Sequence, residues 1–338
     1  MHSKKNIVIP ACPESCLCIK TSDNHHFVSR MTMDNLILDP KSYTLSVMLT
    51  HEEVKELSLT ANAIRQNIIK MLKEAGSGHS GGPLGMADVF TALYFKAMKI
   101  NPNYPDDPER DYLVLSNGHI CPVLYATMAE RGYFLVEELM TLRKFGSRLQ
   151  GHPHRTALPG LETTSGPLGS GLSQASGMAL GLKMDGKSNR VFCCMSDGEH
   201  NEGNVWEAVL FAAKYKLNNL TVILDRNYIQ IDGKTEDIMP LDSVKDKYKA
   251  FNWHVIEIDG HDFKQILEAV RRAENTDDRP TMIIANTIPG KGVSFMENRY
   301  EWHGTPPDLQ DMEGAPTKGE QSNVALEELE KIKIKYGS

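Results

Sequence analysis

Two short apolar runs do most to constrain the fold. VFCCM at 191–195 and LTVIL at 220–224 carry no charged residue, and a helix-length segment, 202–215, separates them. Strands free of charge on both sides suit a sheet that is covered on both faces. Two more runs, 254–258 and 281–285, flank a helical segment at 263–273. This alternation predicts an α/β fold: a doubly wound, mostly parallel sheet with helices on both faces. Chemistry in such a fold sits beyond the carboxyl ends of the strands.

The chain ahead of this alternation reads as helical. Thr50 and Glu53 have the spacing of a capping box. Val54, Leu57, Ala61, Ile64, Ile68 and Leu72 follow at helical spacing, and Gly76 ends the pattern. A second helix is expected over 86–98, stopped by Asn101-Pro102. Residues 1–48 have no sustained period and read as a loosely ordered extension. Cys12, Cys16 and Cys18 with His25 or His26 would make a metal knuckle, but their spacing is poor for paired zinc ligands. The main domain is expected over 49–312. A charged tail, 313–338, should end in a surface helix.

Composition removes several function classes. The 338 residues are 41% hydrophobic and 24% charged, with a formal net charge of -7. No basic stripe suggests nucleic acid. No run of eighteen apolar residues suggests a membrane span, and the first thirty residues lack the form of a secretory leader. Six cysteines in a chain this long do not make a disulfide scaffold. Cys193 and Cys194 read as buried free thiols, and the cytoplasm is the expected compartment.

The strongest chemical signal lies between 196 and 233. One expected strand runs into Ser196-Asp197-Gly198, and the next into Asp225-Arg226-Asn227-Tyr228-Ile229. One strand-helix-strand unit separates Asp197 from Asn227, so both side chains reach the same sheet edge. A carboxylate, an amide oxygen and a backbone carbonyl are hard ligands suited to Mg²⁺ or Ca²⁺. Taken alone, the pair fits a helix cap and a turn better than a metal site. Gly198 lets a phosphate approach the backbone. The 166–171 segment, glycine-rich and opening a helix, presents N–H groups to an anion.

The blocks around these residues resemble the transketolase family. SDGEHNEGNVWEA followed by DRNYIQIDG resembles its thiamine diphosphate motif. GSGHSGGPLG at 76–85, LSNGH at 115–119, GHP at 151–153, TSGPLGSGL at 164–172 and EWHG at 301–304 resemble its substrate and cofactor loops, in the family's order. The resemblance covers residues 50–310 and implies the thiamine diphosphate-binding fold. It further implies that Asp197, Asn227 and the Ile229 carbonyl hold the divalent metal. His119, Gly166, Leu168, Gly198 and His303 would touch the cofactor. His79, His152 and His303 would line the reacting centre, where imidazole can donate, accept or shuttle a proton. Glu202, ahead of Glu207, would lie at the subunit interface and couple two sites. Ser196 stands where the family usually has glycine.

The resemblance also implies a partner. In this family a second, pyrimidine-binding domain supplies the glutamate that promotes cofactor ionisation, and a third domain follows it. Neither fits before Ser338. The expectation is therefore a separate chain carrying both, self-association into a heterotetramer, and ketol transfer between sugar phosphates. A specialised transketolase for an unusual sugar, and a cofactor-binding module without catalysis of its own, are the alternatives.

Overall fold

The computed structural model describes residues 49–337 and, ahead of them, two three-residue strands, Leu36–Leu38 and Leu45–Val47, which pair antiparallel. Met1–Met48 and Leu49–Ser338 form separate units. The rest of the expected loose extension, and the Cys12, Cys16 and Cys18 knuckle with it, lie outside the described residues.

Five parallel strands form the central sheet: β1 (Tyr112–Leu115), β2 (Val191–Ser196), β3 (Leu220–Arg226), β4 (His254–Asp259) and β5 (Thr281–Asn286). Their spatial order is β1-β2-β3-β5-β4. The register sets Ser196 beside Asp225 and Asp225 beside Ala285. Period-two alternation divides the core into two layers. Val191, Cys193 and Met195 face one layer, while Phe192 and Cys194 face the other. The two adjacent cysteines thus enter opposite cores, both as free thiols.

Helices cover both faces. α1 (His51–Ala75) and α2 (Cys121–Arg131) belong to one layer, with α5 (Phe263–Glu274). α3 (Ser170–Met184) and α4 (Gly203–Lys214) form the other. The capping box on α1 is present, with Thr50 Oγ1 accepting from the Glu53 N–H, and Gly76 closes the helix at φ 61°. Caps of this kind stabilise by about 1 kcal/mol. A buried ion pair, Arg65 to Asp88 at 2.6 Å, joins α1 to the helix Ala87–Ala92, and His261 Nδ1 lies 2.7 Å from the same carboxylate.

Three expectations are corrected. The single helix over 86–98 is an α-helix, Ala87–Ala92, that widens into a π-helical turn, Leu93–Ala97. Glu202 does not lie on α4 but at its N-cap, in extended conformation. The tail helix α6 (Gln321–Gly337) is not confined to the surface. Ala325 and Leu329 are fully buried, and the Asn62 amide donates to the Leu329 carbonyl at 2.8 Å, which fixes α6 against α1.

Candidate cofactor site at the carboxyl edge of the sheet

A cavity of about 470 Å³ opens beyond the carboxyl ends of β1, β2 and β3. The segments following those strands supply part of its lining: His119 after β1, Gly198 after β2 and Ile229 after β3. Loops supply the rest, including His79, His152, Gly166, Leu168, Glu202 and His303. Every catalytic, cofactor or metal residue that the family resemblance implied lines this cavity except Asp197 and Asn227, which are buried beside it.

Three imidazoles pack ring to ring. The His79 and His119 centroids lie 4.9 Å apart, His79 and His303 5.5 Å, and His119 and His303 5.3 Å. Local chemistry places them. Ser80 Oγ donates to the Thr305 carbonyl at 2.7 Å, and the Gly290 N–H donates to the Gly81 carbonyl at 2.9 Å. These bonds tie the His79 loop to the chain around His303. His152 approaches through the GHP loop, where the Cys121 thiol donates to the Gly151 carbonyl at 3.1 Å. Burial pushes that thiol up to about 12, so it acts as a neutral donor.

Burial also sets the charge of the histidines. It drives His79 down to about 3, with the repulsion that a protonated His303, Arg143 or a protonated His152 would exert adding to the effect. It takes His303 to about 4 and His119 well below the ordinary imidazole value. His152 is lowered by burial and then by Arg143. All four are therefore neutral near pH 7. His79 Nδ1 and His303 Nδ1 are buried without a hydrogen-bond partner.

The opposite wall is built from charge. Asp197 is fully buried. Its Oδ2 accepts from the Tyr228 N–H at 2.8 Å and from Thr235 Oγ1 at 3.2 Å, and pairs with Arg226 at 3.1 Å. Its Oδ1 has no partner. Asp197 makes no helix-capping bond, so the cap reading fails. Asn227 does shape a turn, with Oδ1 accepting from the Ile229 N–H at 3.1 Å. The second lone pair of that oxygen is left for another donor or a cation. The amide orientation is fixed by its Nδ2, which donates to Asp225 Oδ2 at 2.8 Å. Among the described residues, no group of three or more His, Cys, Asp or Glu converges as a metal site. The candidate set instead joins one carboxylate, one amide and one carbonyl, a hard-oxygen set that fits Mg²⁺ or Ca²⁺.

Glycine is required at two positions of the 166–171 loop. Gly169 has φ 78°, and a Cβ there would lie 2.2 Å from Asn204 Oδ1. A Cβ on Gly171 would lie 2.4 Å from the Ser116 Cβ. Gly198 is under no such constraint, since a Cβ there would make only ordinary contact with Gln230. Three polar residues of this edge were not singled out from the sequence: Asp225, Arg226 and Glu199. The signal was present, since each is a charged residue at the end of an apolar strand or in the loop that follows it. Burial pushes the Asp225 carboxyl up to about 7.

With this geometry in place, comparison with known proteins becomes specific. Residues 57–321 match the family model described as transketolase, thiamine diphosphate binding domain. The chain is 44% identical over 252 residues to a 6-deoxy-6-sulfo-D-fructose transketolase subunit of Clostridium sp. (strain MSTE9), covering 75% of this chain and 92% of that protein. It is 39% identical over 279 residues to an apulose-4-phosphate transketolase subunit of Phocaeicola vulgatus, covering 82% and 98%. Among solved structures, the transketolase from Leishmania mexicana superposes with a TM-score of 0.71 at 31% identity, covering 83% of this chain and 45% of that one. The chain belongs to the transketolase family and carries its thiamine diphosphate-binding domain. It spans nearly the full length of the two subunits and less than half of the Leishmania transketolase.

Proposed function

We propose that this chain is the cofactor-binding subunit of a two-chain transketolase, moving a two-carbon ketol unit from a ketose phosphate to an aldose phosphate. One observation carries the reading. A single cavity is lined by three packed, neutral imidazoles, and buried beside it is a carboxylate oxygen that has no partner. The free Asp197 oxygen, the tight Gly169 and Gly171 loop and the Asn227 amide fit a diphosphate held through a divalent cation. In this reading Asp197, Asn227 and the Ile229 carbonyl hold Mg²⁺ or Ca²⁺. Gly166, Leu168, Gly198, His119 and His303 contact thiamine diphosphate.

When bound, that cofactor would supply the nucleophilic and electron-sink chemistry for cleaving and carrying the two-carbon unit. The chain's own residues bind, orient and exchange protons. His79, His152 and His303 present neutral nitrogens to the substrate hydroxyls and carbonyl. His79 Nδ1 and His303 Nδ1 are buried without a partner, and each neutral ring can exchange a proton through its other nitrogen. Desolvation holds these rings uncharged until an anionic group enters the cavity and raises their affinity for protons.

The partner chain in this proposal carries the pyrimidine-binding and carboxyl-terminal domains, two chains of each kind forming a heterotetramer. Glu202 stands at the interface coupling the two sites. Leu168 and Ile231, 38% and 66% exposed, line the open cavity and suit a surface that another chain covers. The names and coverage of the two subunit relatives support the same arrangement. The proposed context is the pentose phosphate pathway in the cytoplasm. Among the described residues, no helix is long and apolar enough to cross a membrane. Those relatives are named for unusual sugars, which favours a specialised donor as the second reading.

The test is ketol transfer from xylulose 5-phosphate to ribose 5-phosphate with thiamine diphosphate and Mg²⁺. The chain is assayed alone and with a candidate partner. Activity only in the mixture supports the two-chain reading. Cofactor binding without turnover of these sugars, but with turnover of a sulfo-sugar or a branched sugar, supports the second.

A further inference from the structure

Glu199 takes no part in the roles described so far, yet its carboxylate is fully buried among the cavity's supporting loops. Its Oε1 accepts from Ser116 Oγ and from the Gly169 N–H at 2.8 Å. Its Oε2 accepts from the Ser196 N–H at 2.9 Å. The three donors belong to three separate segments. Ser116 follows β1 and leads into His119. Gly169 is the N-cap of α3 and follows Gly166 and Leu168. Ser196 ends β2 and precedes Asp197 and Gly198. Strand ends β1 and β2 are already joined, since the Ser116 N–H donates to the Cys194 carbonyl at 2.9 Å. Among the described residues, no backbone hydrogen bond joins 166–169 to either strand end. Glu199 provides that link.

We infer that Glu199 is a positioning residue, whose carboxylate holds the loops around His119, Gly166 and Asp197 in the arrangement that receives the cofactor. The inference rests on the cofactor reading above. The chemistry requires a carboxylate. Both backbone partners can only donate, and a carboxylate accepts on both oxygens. A glutamine of the same shape turns an NH₂ toward at least one buried N–H, leaving donor against donor. An aspartate is one carbon too short to reach all three. Positioning partners behind metal and cofactor ligands typically change affinity by about 10–100-fold when removed.

The experiment uses the full-length chain, alone and mixed with its partner. Thiamine diphosphate with Mg²⁺ is titrated by calorimetry, beside thermal melts of the chain without cofactor. Glu199→Gln should raise the cofactor Kd by about 10-fold or more, while the cofactor-free melt shifts by only a few degrees. In the assembled enzyme the cofactor KM should rise, and kcat at saturating cofactor should stay near wild type. Ser116→Ala removes one of the three bonds and should give a smaller change in the same direction. Combining it with Glu199→Gln should cost less than the sum of the two. A Kd within twofold of wild type overturns the inference. So does a loss of binding that only tracks loss of the folded chain. If the wild-type chain itself binds no thiamine diphosphate in either format, the functional reading fails and this inference fails with it.

Discussion

The two walls of the cavity solve opposite problems. The Asp197 wall comes from one β2-α4-β3 unit and is held by charge. Arg226 bridges Asp197 at 3.1 Å and Glu236 at 2.6 Å, with its guanidinium 4.1 Å from the Tyr228 ring centroid. The histidine wall gathers residues from position 79 to position 303, and none of its rings is ion-paired. One wall surrounds Asp197 with donors yet leaves its Oδ1 without a partner. The other stores desolvation on neutral rings with unpartnered nitrogens. The first is preorganised for a cation. The second gains most when a polar ligand arrives, because unpaired buried polar groups are costly.

Asp197→Ala should break this comparison most severely. It removes the free Oδ1 and leaves the buried Arg226 guanidinium with Glu236 alone. Breaking a buried pair in this way costs about 3–5 kcal/mol. Metal-dependent cofactor binding should weaken by more than about 100-fold. Normal activity with Mg²⁺ in this variant would remove the metal assignment.

His303→Ala tests the other wall. The ring is buried and one nitrogen is unpartnered, so its loss should cost the fold little. Activity should drop about 10²–10⁴-fold, the range of a lost proton-exchanging group. Far-ultraviolet circular dichroism and the melting temperature should stay near wild type. An unfolded variant would assign His303 to structure instead.

The same contrast decides what could be read from the sequence. The Asp197 wall was legible because its strands are unbroken apolar runs and its ligands flank one helix. β1 was missed because it is four residues long and follows a charged stretch, Asp106 to Asp111. The start of α3 was legible in the glycine-rich 166–171 segment, but its extent was not, because its interspersed glycines and serines and an uneven apolar face blur its period. The contact of α6 rests on Ala325 and Leu329, four apart among charged neighbours. The histidines were legible only through their glycine and proline flanks. Their convergence depends on loop contacts such as Ser80 with Thr305, which no local period encodes. Glu199 was overlooked because Asp197, two residues earlier, drew the metal reading.

Acid should sharpen the contrast further. His79, His200 and His303 are held at about 3, 4 and 4 by burial, and His119 lies well below its usual value. The unfolded chain therefore binds protons on these residues below pH 6.5 that the folded chain refuses. Their contribution is fully present above that pH and is lost as pH falls toward their folded values. Asp225, raised to about 7, has the opposite sign, because the folded chain holds a proton that the unfolded chain releases above pH 3.8. Each net proton changes stability by about 1.4 kcal/mol per pH unit. His152 and His254 are lowered too, while Glu162, Asp197, Glu199 and Glu274 are raised like Asp225. Because the unfolded histidines take up their protons between pH 7 and pH 5, the melting temperature should fall across that window. A flat profile would mean the rings are hydrated or paired.

Glu202 belongs to neither wall and carries the smallest expected effect. It is exposed, lines the cavity and occupies the N-cap of α4 in extended conformation, without a side-chain cap bond. A carboxylate there gains about 0.3–1 kcal/mol from the helix dipole alone. If that is its whole role, Glu202→Gln should lower the melting temperature slightly and leave activity independent of protein concentration. If it couples two sites across an interface, the variant should lose activity a few-fold on dilution, roughly the effect of 1 kcal/mol on an association constant. We expect the second outcome. Sedimentation and activity measured over the same dilution series separate the two, because the dipole acts within one chain and cannot change assembly.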